Sequence, residues 1–314
     1  MPVLFSSASP FQPRQAVDIT PYSGHGILSA SKAGRFHVQK GGINEDNFLT
    51  AIVGATVIPT ATAALDCLRE LRDTGAQAVA VVNEKLEDAG TTLAAAVTYG
   101  NWSADGNPDE RGFAILCVGD SGLAWRDRES RSVVQLTVAQ ELCEIIAGSN
   151  GHPLTNWLGN NTGMQTAEQD ENDQLMAFSQ AQLAQILQDY GINSASGDLI
   201  LFSDGIIQTA SQSAATNDQK QYDNQTKSLQ AKKLEELGKR QGYNNLAEAL
   251  VNEAIRDGSQ DDTTAIVMEF APAPDPEQRI AYLCDGIGGY AGGWQASNAA
   301  VLAVSRRLAA IEPD

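Results

Sequence analysis

Three apolar segments of the chain each end in an aspartate followed by a small residue, and two others begin just after an aspartate. AILCVGDS reaches Asp120, LILFSDG reaches Asp204 and IAYLCDG reaches Asp285, whereas Asp46 precedes NFLTAIV and Asp261 lies just before TTAIVMEF. Because the end of one antiparallel strand lies beside the beginning of its neighbour, all five acids can meet on one sheet edge. Closely spaced carboxylates repel one another strongly. The pattern therefore indicates a site for hard cations such as Mg²⁺, Mn²⁺ or Ca²⁺.

Each of these signals also has an ordinary structural explanation. An Asp-Gly pair after a strand, as at Asp204, is most often a turn. The glycine-rich stretch DGIGGYAGG, which starts at Asp285, lets the backbone pass close to a ligand. It formally matches the G-x-G-x-x-G/A pattern of nucleotide-binding loops, but only 23 residues follow Ala291, too few to complete a dinucleotide-binding fold.

Hydrophobic periodicity predicts the elements that must position these acids. Strands are predicted on both sides of a Gly-Gly turn within 34–53, and at 91–102, 112–126, 133–137, 199–202, 264–270 and 280–284. Helices are predicted at 61–86, where Gly75 can split the pattern, at 179–190, within 228–256 and at 295–311.

This arrangement predicts an α+β fold, an antiparallel β-sandwich flanked by helices on both sides, with the acids along one rim. Residues 1–30 contain four prolines and are expected to form a loosely ordered arm, and residues 31–314 a single domain. Within that domain we expect a polar, mobile insertion at 208–228 and a semi-rigid proline-rich linker, APAPDPEQ, at 271–278.

The charge and the apolar content restrict the partners. The chain carries 39 acidic and 21 basic residues, a net charge of −18, which argues against nucleic acid or an anionic membrane surface. No apolar run approaches the ~20 residues of a membrane span, and the start of the chain lacks a secretory pattern. We therefore expect a cytoplasmic protein whose Cys67, Cys117 and Cys284, all in apolar patterns, are buried free thiols.

Seven motifs taken together resemble the PPM-type, metal-dependent protein phosphatases, also called the protein phosphatase 2C-like family. The resemblance spans about residues 34 to 305. The matching segments are GGINEDNF (41–48), AGTTLAAAV (89–97), AILCVGDSGLAW (114–125), HPLTNWLG (152–159), GDLILFSDGI (197–206), GSQDDTTAIVM (258–268) and LCDGIGGYAGGWQAS (283–297).

The resemblance implies a site with two Mg²⁺ or Mn²⁺ ions and a weaker third ion. Asp285 would bridge two ions, with the Gly286 carbonyl as a further ligand, and Asp46 with Glu45 would ligate or orient bound water. The remaining implied ligands are Asp204 and Asp261 for the second ion and Asp120 for the third. Two such ions lower the pKa of a bound water enough for it to attack phosphorus, so no protein nucleophile is needed.

Several positions depart from the family pattern. Where the family has an arginine that grips the substrate phosphate, this chain has Gly41, which leaves the neighbouring Lys40 as the candidate for that contact. A lysine offers a point charge and no bidentate fork. Ile287 stands where other members have His or Met, Gln208 where an acid is common, and Gly122 where an arginine is usual.

The order of the motifs also differs, because the DGxGG strand comes last here and follows the NED strand directly in the family. We expect strand 280–284 to fold back beside 48–53 within one chain; the alternative is a strand-swapped dimer.

The motifs thus predict a Ser/Thr phosphoprotein phosphatase that uses a metal-activated water. The alternative is a phosphatase-like regulatory or binding module with little or no catalysis, which the changes at Gly41 and Gln208 favour.

Overall fold

Two antiparallel sheets, each with six described strands, face each other at the centre of the fold. The computed structural model describes residues 3–7, 19–39, 43–54, 57–86, 89–101, 107–140, 154, 156–158, 173–192, 196–211, 218–239, 245–270, 277–287 and 292–311. The first sheet contains, in spatial order, β1 (Val3–Ser6), β4 (Asn47–Val53), β12 (Gln278–Gly286), β5 (Thr91–Tyr99), β6 (Gly112–Val118) and β9 (Gln174–Ser179). The second contains β2 (Ile19–Gly24), β3 (Ile27–Lys32), β11 (Thr263–Phe270), β10 (Gly197–Phe202), β7 (Gly122–Asp127) and β8 (Val133–Gln135).

Helices cover the outer faces of both sheets. They are α1 (Arg35–Gln39), α2 (Ala61–Asn83), α3 (Gln180–Asp189), α4 (Asp204–Ser211), α5 (Gln219–Gly238), α6 (Leu246–Arg256) and α7 (Gly293–Ala309). Helices α2 and α7 pack on the first sheet, and α4, α5 and α6 on the second. Among the described helices, none combines the length and the hydropathy that a membrane crossing requires.

Strand β12 shows how the side chains divide between the layers. Tyr282 and Cys284 belong to the core beneath α2 and α7, whereas Ala281 and Leu283 belong to the core between the two sheets. This alternation is the period of two that a strand buried on both faces requires. The predicted α+β sandwich of antiparallel sheets with helices on both sides is confirmed.

The last strand of the chain lies in the middle of the first sheet. Ala281 of β12 is paired with Thr50 of β4 on one side and with Ala96 of β5 on the other, all within one chain. The expected return of strand 280–284 to the side of 48–53 is therefore present. At the start of β12, Gln278 is fully buried; its side chain accepts a hydrogen bond from the Ile58 amide and donates one to the Ile58 carbonyl, both 2.7 Å.

The prediction of a loosely ordered arm at 1–30 is wrong for its described residues. They form β1 at an edge of the first sheet and the β2–β3 hairpin of the second, which turns at His25 (φ 51°) and Gly26 (φ 67°). The prolines and polar residues hid these strands because an edge position tolerates both.

The strand predicted just after Gly34 is also wrong, because residues Arg35–Gln39 form the short helix α1. Pairing of β3 with β11 ends at Lys32 and Thr263, so the chain beyond Lys32 has no strand to continue along. The segment predicted as one strand at 112–126 is two strands in different sheets, β6 and β7, with a turn at Gly119 (φ 96°) between them.

The polar insertion expected at 208–228 is largely helical where it is described, since α4 extends to Ser211 and α5 begins at Gln219. Its buried stripe on α5 includes Thr226 and Gln230, which a search for apolar periodicity does not find. Of the linker expected at 271–278, residues 271–276 lie outside the described residues, and Gln278 belongs to β12. Strand β9 has no counterpart in the predicted elements.

Helix α2 is continuous through Gly75, which supports β12 by leaving room for Tyr282. A Cβ added at Gly75 would lie 2.3 Å from the Tyr282 hydroxyl oxygen and 3.5 Å from its Cζ. That hydroxyl is buried and has no hydrogen-bond partner among the described residues.

We expect Gly75→Ala to destabilise the protein by about 1–3 kcal/mol, because the methyl group collides with the Tyr282 hydroxyl. In a Tyr282→Phe background the same substitution should instead stabilise by up to about 1 kcal/mol, the helix preference of alanine over glycine. Urea unfolding of the four proteins of this cycle measures both effects. Equal destabilisation in both backgrounds would contradict the assigned contact.

Candidate metal centre

The five aspartates lie on one rim of the sandwich, each at the end of a different strand. Asp46 directly precedes β4, and Asp285 lies near the end of the neighbouring β12, where Cys284 pairs with Asn47. Asp120 lies in the turn between β6 and β7, Asp204 is the first residue of α4 after β10, and Asp261 precedes β11. The rim therefore receives acids from both sheets.

Asp285 is the electrostatic centre of this group. Burial raises the pKa of its carboxyl well above the ordinary value, and the charges of Asp46, Asp204, Asp120 and Asp261 raise it further, in that order. Four acids that are distant in sequence thus act on one buried carboxyl, which requires that they lie close to it.

Asp46 is buried to the same degree. Burial and the charge of Asp262 raise its pKa from 3.8 to about 7, while the side chains of Thr264, Asp285 and Ser203 lower it in part. Neither carboxylate oxygen of Asp46 has a hydrogen bond of good geometry among the described residues. Buried carboxylates beside like charges and without donors are unfavourable unless a cation neutralises them.

The donor set fits a hard divalent cation, since these are carboxylate oxygens and such ions prefer oxygen ligands. In the described part of the chain, no three carboxylate, imidazole or thiol groups already stand at metal-ligand spacing. Binding of an ion therefore requires these side chains to close towards one another, which removes their mutual repulsion.

Glu45 lies against the glycines of the last motif. Its Cβ would be 2.9 Å from a Cβ added at Gly286, and its Oε2 would be 2.8 Å from one added at Gly293. The Ser297 hydroxyl on α7 donates to the Glu45 carbonyl at 2.5 Å. Only glycine fits at Gly286 and Gly293, which explains part of the glycine-rich pattern after Asp285.

The GTTL and GDS motifs hold the strand ends together. Thr91 donates its hydroxyl hydrogen to the carbonyl of Asp285 at 2.6 Å. The hydroxyls of Thr92 and Ser121 share a hydrogen bond of 2.6 Å, next to Asp120. These contacts tie the turn that carries Asp120 to the end of the strand that carries Asp285.

Asp262 is a site residue that the sequence reasoning missed. It is 2% exposed, and its Oδ1 and Oδ2 accept hydrogen bonds from the backbone amides of Gly34 at 2.7 Å and Glu45 at 2.6 Å. The signal in the sequence was the second acid of the Asp-Asp pair, but the positions of its two donors follow only from the fold.

The remaining predicted site residues are only partly placed. Lys40 and Gly41 lie outside the described residues, so the phosphate contact of Lys40 stays a prediction. Ile287 follows Gly286 and donates its backbone amide hydrogen to the Gly90 carbonyl at 3.2 Å. The metal-ligand roles of Glu45, Asp46, Asp120, Asp204, Asp261, Asp285 and the Gly286 carbonyl likewise stay predictions.

No family model matches the sequence, and no curated protein matches it significantly. The structure is similar to several solved phosphatases. For PppA of Pseudomonas aeruginosa, a regulatory component of T6SS, the identity is 16% and the TM-score 0.43, over 78% of this chain and 97% of that one.

The PPM Ser-Thr phosphatase MsPP from Mycobacterium smegmatis is 16% identical with a TM-score of 0.39, over 86% of this chain and 98% of that one. The catalytic domain of the phosphatase PstP, solved with two manganese ions, is 15% identical with a TM-score of 0.39, over 85% and 96% of the two chains. At these identities and scores the similarity assigns no activity to this chain.

The raised pKa of Asp46 predicts a pH-dependent stability for the metal-free protein. Because the folded-state value of about 7 exceeds the ordinary 3.8, the stability linked to this group is present below 3.8 and is lost as pH rises through about 7. We expect Asp46→Asn, measured in EDTA, to stabilise the protein by about 2–4 kcal/mol near pH 8 and by much less near pH 5.

Urea unfolding at both pH values measures this difference. Asp66→Asn, at an exposed position on α2 whose partner is Arg69, is the matched control and should show no such pH dependence. If Asp46→Asn changed stability equally at the two pH values, the ionisation of Asp46 would not be the cause.

Proposed function

We propose that this chain is a Mg²⁺- or Mn²⁺-dependent phosphatase that hydrolyses phosphate monoesters on serine and threonine side chains of phosphoproteins. The observation that carries the proposal is the convergence of four aspartates on the buried carboxyl of Asp285. The motif resemblance gives that carboxyl cluster its chemical interpretation.

The residues would divide between two main ions and a third. Asp285, with its neighbour Asp46 and the Gly286 carbonyl, would hold the ions on the side of the first sheet. Asp204 and Asp261 would hold the second ion from the other sheet, and Asp120 the weaker third ion. When bound, the ions supply an activated water and neutralise charge on the phosphoryl oxygens.

The protein itself contributes burial and rigid donors. Asp46 and Asp285 are 1% and 8% exposed, so ions held between them are shielded from bulk water and act more strongly on a phosphoryl group. The Thr91–Asp285 and Glu45–Ser297 hydrogen bonds keep the strand ends in place as charge develops.

The described cysteines favour water over a thiol as the nucleophile. Burial raises the pKa of Cys117 and of Cys284 to about 12, and that of Cys67 to about 11. A thiol is nucleophilic as its thiolate, and these three stay protonated at neutral pH. A cysteine-phosphatase mechanism through any of them is therefore unfavourable.

The second candidate is a phosphatase-like binding module with weak or no catalysis. It is favoured by Gly41 at the position of the family's arginine, and by the open spacing of the acids in the described residues. A module of this kind would bind the cation and a phosphoprotein without turnover.

We expect hydrolysis of p-nitrophenyl phosphate and of a phosphothreonine peptide with MnCl₂, and none in EDTA. Asp285→Asn should lower kcat by roughly 10²-fold or more, because the shared ligand supplies several kcal/mol of transition-state stabilisation. Asp66→Asn is the control and should keep full activity.

Circular dichroism shows whether the Asp285→Asn variant remains folded. Full turnover by a folded Asp285→Asn variant would overturn the assignment of Asp285. Calorimetric binding of Mn²⁺ without hydrolysis of either substrate would favour the binding module over the enzyme.

A further inference from the structure

We propose that Asp262 is a positioning residue of the metal centre, whose carboxylate sets Glu45 and Asp46 in register with the acids of the second sheet. The inference rests on the proposed function and adds to it a residue that is not itself a predicted ligand. It is carried by the hydrogen bonds around Asp262, not by its sequence position.

The backbone of Asp262 is fixed before its side chain reaches any partner. A Cβ added at Gly205 would lie 1.9 Å from the Asp262 carbonyl oxygen, so the SDG motif packs directly on this peptide. The Ser203 hydroxyl donates to the same carbonyl at 3.4 Å, and the Asp262 amide donates to Oδ1 of Asp261 at 3.0 Å. Asp262 is therefore rigidly joined to Asp204 and Asp261.

From this fixed base the carboxylate reaches two other loops. Oδ1 accepts from the Gly34 amide at 2.7 Å, and Oδ2 accepts from the Glu45 amide at 2.6 Å. Both lengths are typical of strong bonds to an ionised acceptor. The two donors belong to the segments that precede α1 and β4.

The position demands a carboxylate and not merely a polar residue. An ionised Asp presents two oxygens that only accept, which matches two amide donors. Asn has the same shape but one acceptor, so its NH₂ group would face one of the amides and leave that donor unpaired inside the protein.

Glu45 passes this constraint to the other half of the site. Its amide is held by Asp262, its carbonyl accepts from Ser297 on α7, and its Cβ lies against Gly286. The Asn47 side chain also donates to Ser297 at 2.9 Å. The residue between Glu45 and Asn47 is Asp46, whose carboxyl is therefore positioned from both sides.

A hydrogen-bonded path thus joins the two groups of acids. Asp204 and Asp261 lie at one end of it, Asp262 and Glu45 in the middle, and Asp46 beside Asp285 at the other. Two ions shared between the groups need both groups at a fixed separation, and Asp262 bridges that separation.

The test is Asp262→Asn, compared with wild type by calorimetric titration with MnCl₂. We expect the Kd for Mn²⁺ to rise about 10- to 100-fold, the usual effect of losing a residue that orients metal ligands. Asp66→Asn makes the same chemical change on the exposed face of α2 and should leave the Kd unchanged.

The outcomes are distinguishable because stability and affinity are measured separately. A folded Asp262→Asn variant that unfolds at lower urea in EDTA but binds Mn²⁺ within twofold of wild type would overturn the inference, since its role would be structural only. Wild-type protein that binds no Mn²⁺ would overturn the proposed function, and this inference with it. Wild-type binding with a weakened variant supports both.

Hydrogen exchange on the wild type tests the inference even if the variant does not fold. Coupling between sites is reciprocal, so Mn²⁺ bound at the acids must order the loops that Asp262 holds. We expect saturating MnCl₂ to slow exchange of the Gly34 and Glu45 amides at least tenfold. Unchanged exchange at both amides, with Mn²⁺ binding demonstrated, would overturn the role of Asp262.

Discussion

Repulsion between buried carboxylates is the interaction on which the candidate site depends. Asp46 and Asp285 lie at adjacent strand ends, both buried, and each raises the cost of ionising the other side of the pair. A protein that only had to be stable would place apolar residues or a basic partner there. The structure instead surrounds Asp285 with more acid, and it holds that acid in place with the Thr91 and Ser297 hydrogen bonds. Such stored unfavourable charge is what gives a divalent cation its driving force to bind.

The position of β12 imposes a second constraint, on how the site can form. Strands β4 and β5 do not pair with each other, because the last strand of the chain lies between them. The contacts that close the first sheet, such as Ala281 with Thr50, therefore join residues more than two hundred positions apart, and contacts of this kind form late and slowly. Asp285 is on that strand, so the complete acid cluster exists only after the whole sheet has closed. The Gln278 hydrogen bonds to Ile58 fix the far end of the same strand.

Much of this could be read from the sequence, because acids that follow or precede apolar runs must lie at strand ends. That argument found Asp46, Asp120, Asp204, Asp261 and Asp285 and the antiparallel sandwich. It could not find the change of sheet at Gly119, since the residues on both sides are equally apolar and only a backbone turn separates them. It also missed Asp262, whose function depends on two backbone amides from remote loops, and the buried polar stripe of α5 at Thr226 and Gln230. Interactions with the backbone and buried polar contacts leave little trace in hydrophobic periodicity.

The net charge of −18 acquires a specific meaning beside this site. An acidic surface concentrates divalent cations and repels phosphorylated ligands at long range. Bound ions are the largest local charges in such a site and reverse the sign of its field. Under the proposed function, phosphate can therefore approach the rim only where ions already neutralise the carboxylates around Asp285. Cation binding and phosphate binding are then two parts of one equilibrium, and the hydrogen bonds that Asp262 makes to the Glu45 and Gly34 amides act on both.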